Sequence, residues 1–135
     1  MPAGYSGTPL SKKLGIKPGM VVAVINEPDG FRALLDPLPD DVTFRSALRG
    51  NIDLAIAFFT ERSKLQVKLP ALTKAIYPAG GLWLAWPKKT SGVETDISGN
   101  DIRELGLASG VVDIKVAAID ETWSGHRFAH RIKDR

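Results

Sequence analysis

No cysteine occurs anywhere in the 135 residues. This excludes disulfides, thiolate nucleophiles, cysteine-ligated zinc and iron–sulfur clusters, and it suits a reducing, cytoplasmic compartment. No apolar stretch approaches the roughly 20 residues needed to cross a bilayer, so no membrane partner is expected. The longest, Leu54 to Phe59, is the size of a strand. The opening residues Met1 to Thr8 lack the charged start and apolar run of a signal peptide. Charge of one sign is also scarce: 18 Lys and Arg stand against 15 Asp and Glu, a net +3. The small excess gathers at the C-terminus, in His126, Arg127, His130, Arg131, Lys133 and Arg135 against Asp134 alone. A solvated basic tail accounts for it, which argues against nucleic acid as the partner.

What remains is an ordinary globular mixture, 44% hydrophobic and 24% charged, expected to form a single domain over residues 1–135 with residues 1–8 as an N-terminal arm. Strand-like and helix-like segments alternate, the pattern of a largely parallel sheet covered by helices. Met20–Ile25 and Ile52–Phe59 are apolar almost throughout, as strands buried on both faces should be. Leu82–Trp86 and Val111–Ile119 read as further strands, Val42–Leu48 as a weaker one near the sheet edge, and the alternation over Gly125–Ile132 suits a final antiparallel edge strand with one wet face.

Helix signals are equally local. Thr8-Pro9 offers a cap and a first-turn proline for a short helix over Ser11–Leu14, and Phe31–Leu35 predicts another. Ser63 with Gln66 has capping-box spacing, followed by the stripe Leu65, Leu69, Leu72, Ile76 that Pro70 should kink or divide. Ser98 with Asp101 is a second cap, and Gly110 a helix-ending glycine. The predicted architecture is a three-layer α/β Rossmann-like sandwich on a six-stranded, mostly parallel sheet with an antiparallel C-terminal strand. The predicted strand order is Val42–Leu48, Met20–Ile25, Ile52–Phe59, Leu82–Trp86, Gly125–Ile132, Val111–Ile119.

Four stretches resemble an uncharacterised bacterial family, a domain of unknown function: Gly4–Leu10 (GYSGTPL), Lys13–Gly19 (KLGIKPG), Leu82–Lys89 (LWLAWPKK) and Glu121–Gly125 (ETWSG). More distantly the layout is similar to class I methyltransferases. Lys17-Pro18-Gly19-Met20 resembles the lead-in to their first strand, Asp53–Phe58 their fourth, and Pro78–Leu82 the turn into their fifth. The resemblance implies a shortened, methyltransferase-type fold. That family follows its first strand with a glycine-rich turn and its second with a carboxylate for the cofactor ribose. Here the positions read Asn26-Glu27-Pro28 and Leu48-Arg49-Gly50-Asn51. Both departures argue against S-adenosylmethionine, and no cofactor is expected.

In open α/β sheets ligands sit outside the carboxyl ends of the strands, where Asn26–Gly30, Thr60–Arg62, Lys88–Gly92 and Asp120–Gly125 should gather. Candidate binding residues are therefore Asn26, Glu27, Thr60, Lys88, Lys89, Thr90, Ser91, Gly92, Glu121 and Trp123. Lys88 to Gly92 supplies cations, hydroxyls and a flexible backbone suited to an anion. The expected role is a non-catalytic domain binding a small anionic ligand or a protein partner, with a degenerate methyltransferase or a nucleic-acid module as alternatives. No catalytic residue is expected: the Gly-x-Ser-x-Gly elbow is missing. His126 and His130 share a strand face without the spacing of metal ligands.

Overall fold

The computed structural model describes residues 7–135, and the arm expected over residues 1–8 lies, but for Gly7 and Thr8, outside them. Six strands form one sheet in the order β2-β1-β3-β4-β6-β5, the order the sequence predicts. They are β1 (Val21–Ile25), β2 (Thr43–Arg45), β3 (Leu54–Phe58), β4 (Gly81–Pro87), β5 (Val111–Ala118) and β6 (Trp123–His130). The pairs β1–β2, β1–β3 and β3–β4 are parallel, while β6 runs antiparallel to both β4 and β5. The sheet is thus α/β and mostly parallel, closed by an antiparallel C-terminal pair.

Side chains alternate between the two faces with period two. Ala23, Ile25, Ala55, Ala57, Leu82, Leu84 and Phe128 meet α2 (Arg62–Ala75) and α3 (Gly99–Ala108) through Leu65, Leu69, Leu72, Ile76 and Ile102. Val22, Val24, Leu54, Ile56, Phe58, Trp83 and Ala85 meet Leu14, Ile16, Phe31 and Leu35. These four belong to the region of α1 (Leu10–Lys13) and a 3-10 turn at Arg32–Leu35. Trp83 and Trp86 point to opposite faces, as the pleat requires. Trp83 is fully buried, and Trp86 packs against the α2–α3 side.

Three local expectations need correction. The α1 N-cap is Pro9, with no side-chain cap, so the Thr8 hydroxyl has no such role. The Ser63–Gln66 box does not form. The α2 N-cap is Glu61, and the Arg62 N–H is taken by the Asp96 carboxylate at 2.7 Å, from 34 residues away. Pro70 does not divide α2, which runs unbroken through it. At α3 the local reading holds. Ser98 and Asp101 exchange a full capping box, and the hydrogen bond from the Ser98 backbone holds the Asp101 carboxyl below its usual range. Gly110 follows the helix at φ +93, the left-handed conformation that ends it.

The last strand is not an edge. β6 lies between β4 and β5, and His126, Phe128 and Ala129 are buried in it. The solvated basic tail accordingly shrinks to Arg131 through Arg135, all exposed. The edge on this side is β5, whose register slips between Asp113 and Lys115 and on which Ile114 and Val116 are exposed.

Candidate functional site

All four predicted loops do gather at one end of the sheet, because β1, β3, β4 and β5 run the same way. The Phe59 N–H donates to the Ala85 carbonyl at 3.0 Å, and the Lys88 N–H to the Thr122 carbonyl at 2.8 Å. The chain leaves β1 toward β2 on one side and returns to start β3 on the other, so the switch in strand order falls between β1 and β3. A cleft of about 340 Å³ opens there, between the end of β1 and the first turns of α2. Its walls are Ile25, Asn26, Phe59, Ser63, Lys64, Val67 and Lys68. A recess of about 240 Å³ continues from it toward Trp123, past Phe58, Thr60 and Glu61.

Asn26, Thr60 and Trp123 of the predicted residues meet in this region. Asn26 adopts φ +57, and its amide donates to the Phe58 carbonyl at 3.0 Å, tying β1 to β3 at the cleft. The Thr60 carbonyl accepts from the Thr95 hydroxyl at 2.7 Å. Trp123 sets its ring edge-on to Phe58, centroids 5.0 Å apart. It is oriented by Asp120, whose carboxylate accepts the Thr122 and Trp123 backbone N–H groups at 2.8 and 2.7 Å.

The other candidates stand apart. Glu27 pairs with Arg32 at 3.1 Å. Glu121 is exposed and lines none of these recesses. Lys89 to Ser91 form a 3-10 turn, with Lys89, Thr90 and Gly92 exposed and Lys88 half-buried beside it. The Ser91 hydroxyl is spent within this turn, donating to the Lys88 carbonyl at 2.7 Å and accepting from the Val93 N–H at 3.2 Å. The loop richest in anion-binding residue types thus lines neither the cleft nor the recess beside it.

Sequence reading missed Phe59, Glu61, Lys64 and Lys68. Lys64 and Lys68 are one helical turn apart, and that spacing beside a strand end is the signal that could have found them. The Glu61 carboxylate lies 2.8 Å from the Lys64 ammonium, and this hydrogen bond raises the Lys64 pKa above its ordinary value. Both groups face water, so the pair adds little to stability. Next to it a more acidic recess of about 490 Å³ is lined by Thr60, Glu61, Glu94, Thr95 and Asp96. The region is thus polarised, with lysines on the α2 rim and carboxylates toward the β4–α3 loop.

The seat that the methyltransferase resemblance implies for an adenosyl cofactor carries residues that depart from that family's pattern. At the end of β1 the left-handed position carries an asparagine side chain already bonded to Phe58, followed by Glu27 engaged with Arg32 and by Pro28, which has no N–H. After β2 no carboxylate occurs before Asp53. The Arg45 guanidinium there donates to the Arg49 carbonyl, and the Asp53 carboxylate accepts the Val21 N–H at 2.8 Å at the opposite end of the sheet.

No family model matches the chain, so the likeness to a bacterial domain of unknown function finds no support there. No curated protein matches it either. Solved structures do. A SAM-dependent methyltransferase from Aquifex aeolicus superimposes with a TM-score of 0.62 at 16% identity, over 87% of this chain and 85% of that one. Magnesium protoporphyrin IX methyltransferase from Synechocystis PCC 6803, with bound SAH, gives 0.60 at 12% identity over 90% and 78%. A "possible exported protein" from Bordetella parapertussis gives 0.63 at 11% over 90% of this chain, which spans 65% of that protein's length. At such identities the likeness speaks for architecture alone: the chain has the α/β, Rossmann-like fold of the SAM-dependent methyltransferases.

Proposed function

We propose that this protein is a non-catalytic binding domain that takes a small molecule with an apolar body and an anionic group in the cleft between β1 and α2. One observation carries the reading. At the switch in strand order, where folds of this class bind ligands, the cleft joins apolar walls of Ile25, Phe59 and Val67 to two lysines on one rim. The ligand's body would lie against the apolar walls and its anion would meet Lys64 and Lys68 as a charge-assisted pair. Carboxylates of the adjoining recess would repel a second anionic group.

A binding role fits the cleft better than acid–base chemistry. Lys64 and Lys68 line the cleft and Glu61 the adjoining recess, and Glu61 and Lys64 are solvated and paired with each other, whereas an acid–base site desolvates such groups to bring their pKa values near neutrality. The test is a thermal-shift and calorimetric screen with aromatic and aliphatic carboxylates, phosphate, common nucleotides and S-adenosylhomocysteine. It compares the protein with its Lys64→Ala/Lys68→Ala variant, both changes lying on the helix rim. The expected result is binding of an apolar carboxylate, weakened on the order of tenfold or more in the variant. Undiminished binding in the variant would overturn the assignment, and selective binding of S-adenosylhomocysteine would replace it with an altered methyltransferase.

A further inference from the structure

Arg127 lies on the face of β6 away from α2 and α3, paired in register with Trp83 of β4 and Lys115 of β5. Its guanidinium threads a slot between two glycines. A Cβ on Gly81 would stand 2.8 Å from Nη2, and one on Gly15 would fall closer still to Nη1. Nη1 donates to the Leu14 carbonyl at 3.3 Å, the same carbonyl that accepts the Trp83 indole N–H at 2.9 Å. The group is therefore held between the two glycines, and among the described residues one of its five donors is hydrogen-bonded.

Its surroundings are cationic. Lys115 is the directly opposed residue on the neighbouring strand, with its ammonium 5.9 Å from the Trp83 ring centroid. Lys13 reaches the Ala118 carbonyl at 3.0 Å from the end of α1. Among the described residues the carboxylates in ion pairs are those of Glu27, Glu61, Asp101 and Asp113, and none pairs with these three cations. Residues 1–6 contain neither Asp nor Glu. Burial also lowers the pKa of Arg127, the direction expected of a cation losing solvent without gaining a partner. A guanidinium nevertheless stays protonated.

Like charges directly opposed across a sheet destabilise it, and a part-buried charge without a counter-ion is costly. Both costs fall away if an anion completes the cluster. We infer that Arg127 and Lys115 form a binding site for a phosphate group on this face of the β4–β6–β5 sheet, separate from the strand-end cleft. A fixed guanidinium fork beside a mobile ammonium matches the geometry and double charge of a phosphate better than a monoanion.

The test follows the Arg127 Nε–H resonance by NMR while inorganic phosphate, or glycerol phosphate as a monoester, is added to the full chain in chloride buffer. A saturable shift is expected. Lys115→Met, an exposed strand position, should weaken it on the order of tenfold, the worth of one charge-assisted hydrogen bond. Arg127→Lys, which keeps the charge but loses the fork, should weaken phosphate binding as read by calorimetry, and Lys89→Ala on the exposed turn after β4 should leave the Arg127 shift unchanged. Tighter binding of the monoester assigns the site to a phosphorylated molecule, and tighter binding of free phosphate assigns it to the ion. Either result upholds the site. A resonance that fails to saturate with both probes, or equal binding by Lys115→Met, overturns it. The Lys64→Ala/Lys68→Ala variant tests the strand-end cleft and Lys115→Met tests this face, so failure of one site leaves the other standing.

Discussion

The two faces of the sheet are sealed by different means. On one, α2 and α3 lay regular apolar stripes against Ala55, Ala57, Leu82 and Leu84, and α3 is capped by its own Ser98 and Asp101. On the other, short helical turns and loops are what covers Val24, Ile56 and Trp83 among the described residues. They are fastened by side chains reaching distant carbonyls: Ser11 to Pro37 at 2.9 Å, Trp83 to Leu14 at 2.9 Å and Lys13 to Ala118 at 3.0 Å. A helical layer satisfies its own backbone and asks its residues only for an apolar stripe. A loop layer leaves carbonyls that must find donors elsewhere. Stability on the second face should therefore concentrate in a few residues, and on the first it should be spread out.

The sharpest way to break this contrast is Trp83→Ala. Loss of the fully buried ring and of its bond to Leu14 should cost about 3–5 kcal/mol in urea unfolding, and a loss below about 1 kcal/mol would show that the loop layer does not depend on it. Next is Gly106→Ala on α3, where the new Cβ would stand 2.9 Å from Phe128 Cδ2 and nearer to the rest of that ring edge. Overpacking of about 1–3 kcal/mol is expected. The helical face borrows too, through the Asp96 cap on Arg62 and the His130 ring, whose Nε2 lies 2.6 Å from the Thr73 carbonyl of α2. Asp96→Ala should cost about 1 kcal/mol and Ser63→Ala almost nothing; equal losses would restore the local cap to Ser63.

The smallest effect is a pH dependence on the helical face. His126 is buried against Phe128, ring centroids 4.5 Å apart, and burial outweighs the nearby Asp113 carboxylate, so its pKa is lowered from 6.5. Asp113 is shared with Arg103 at 3.5 Å and sits 3.7 Å from His126 Nε2, too far for a hydrogen bond. The unfolded chain, with its ordinary histidine pKa, binds the proton first as pH falls. The stability contributed by neutral His126 is thus complete above about pH 6.5 and is lost on descending through the lower folded value. His126→Gln should flatten that part of the stability-versus-pH curve, and an unchanged slope would assign it to other groups.

The same contrast explains what could be read in advance. Strand order was legible because β1, β3 and β4 are short apolar runs separated by helical stretches, and one handedness of crossover fixes their sequence in space. The α3 cap was legible because its partners are three residues apart. The α2 cap was not, since Asp96 arrives from another loop. At the candidate site, composition drew attention to Lys88–Gly92, whereas the cleft depends on where the first turn of α2 stands relative to the end of β1. No stretch of sequence states that distance. Asn26, Thr60 and Trp123 could be placed at the strand ends because strand ends are predictable. Lys64 and Lys68 were missed because they lie inside a helix.

The slipped register at Ile114 bears on how the protein behaves at high concentration. β5 is an outer strand of eight residues with two large apolar side chains in water, the kind of border that could template the strands of further molecules. Fibrils grow by stacking flat, uninterrupted segments in register. The extra residue between Asp113 and Lys115 bends the border out of that plane and puts the acidic and basic side chains on opposite sides of it. The irregularity thus acts as a stopper against linear self-assembly, built from one residue that the fold itself does not need for pairing.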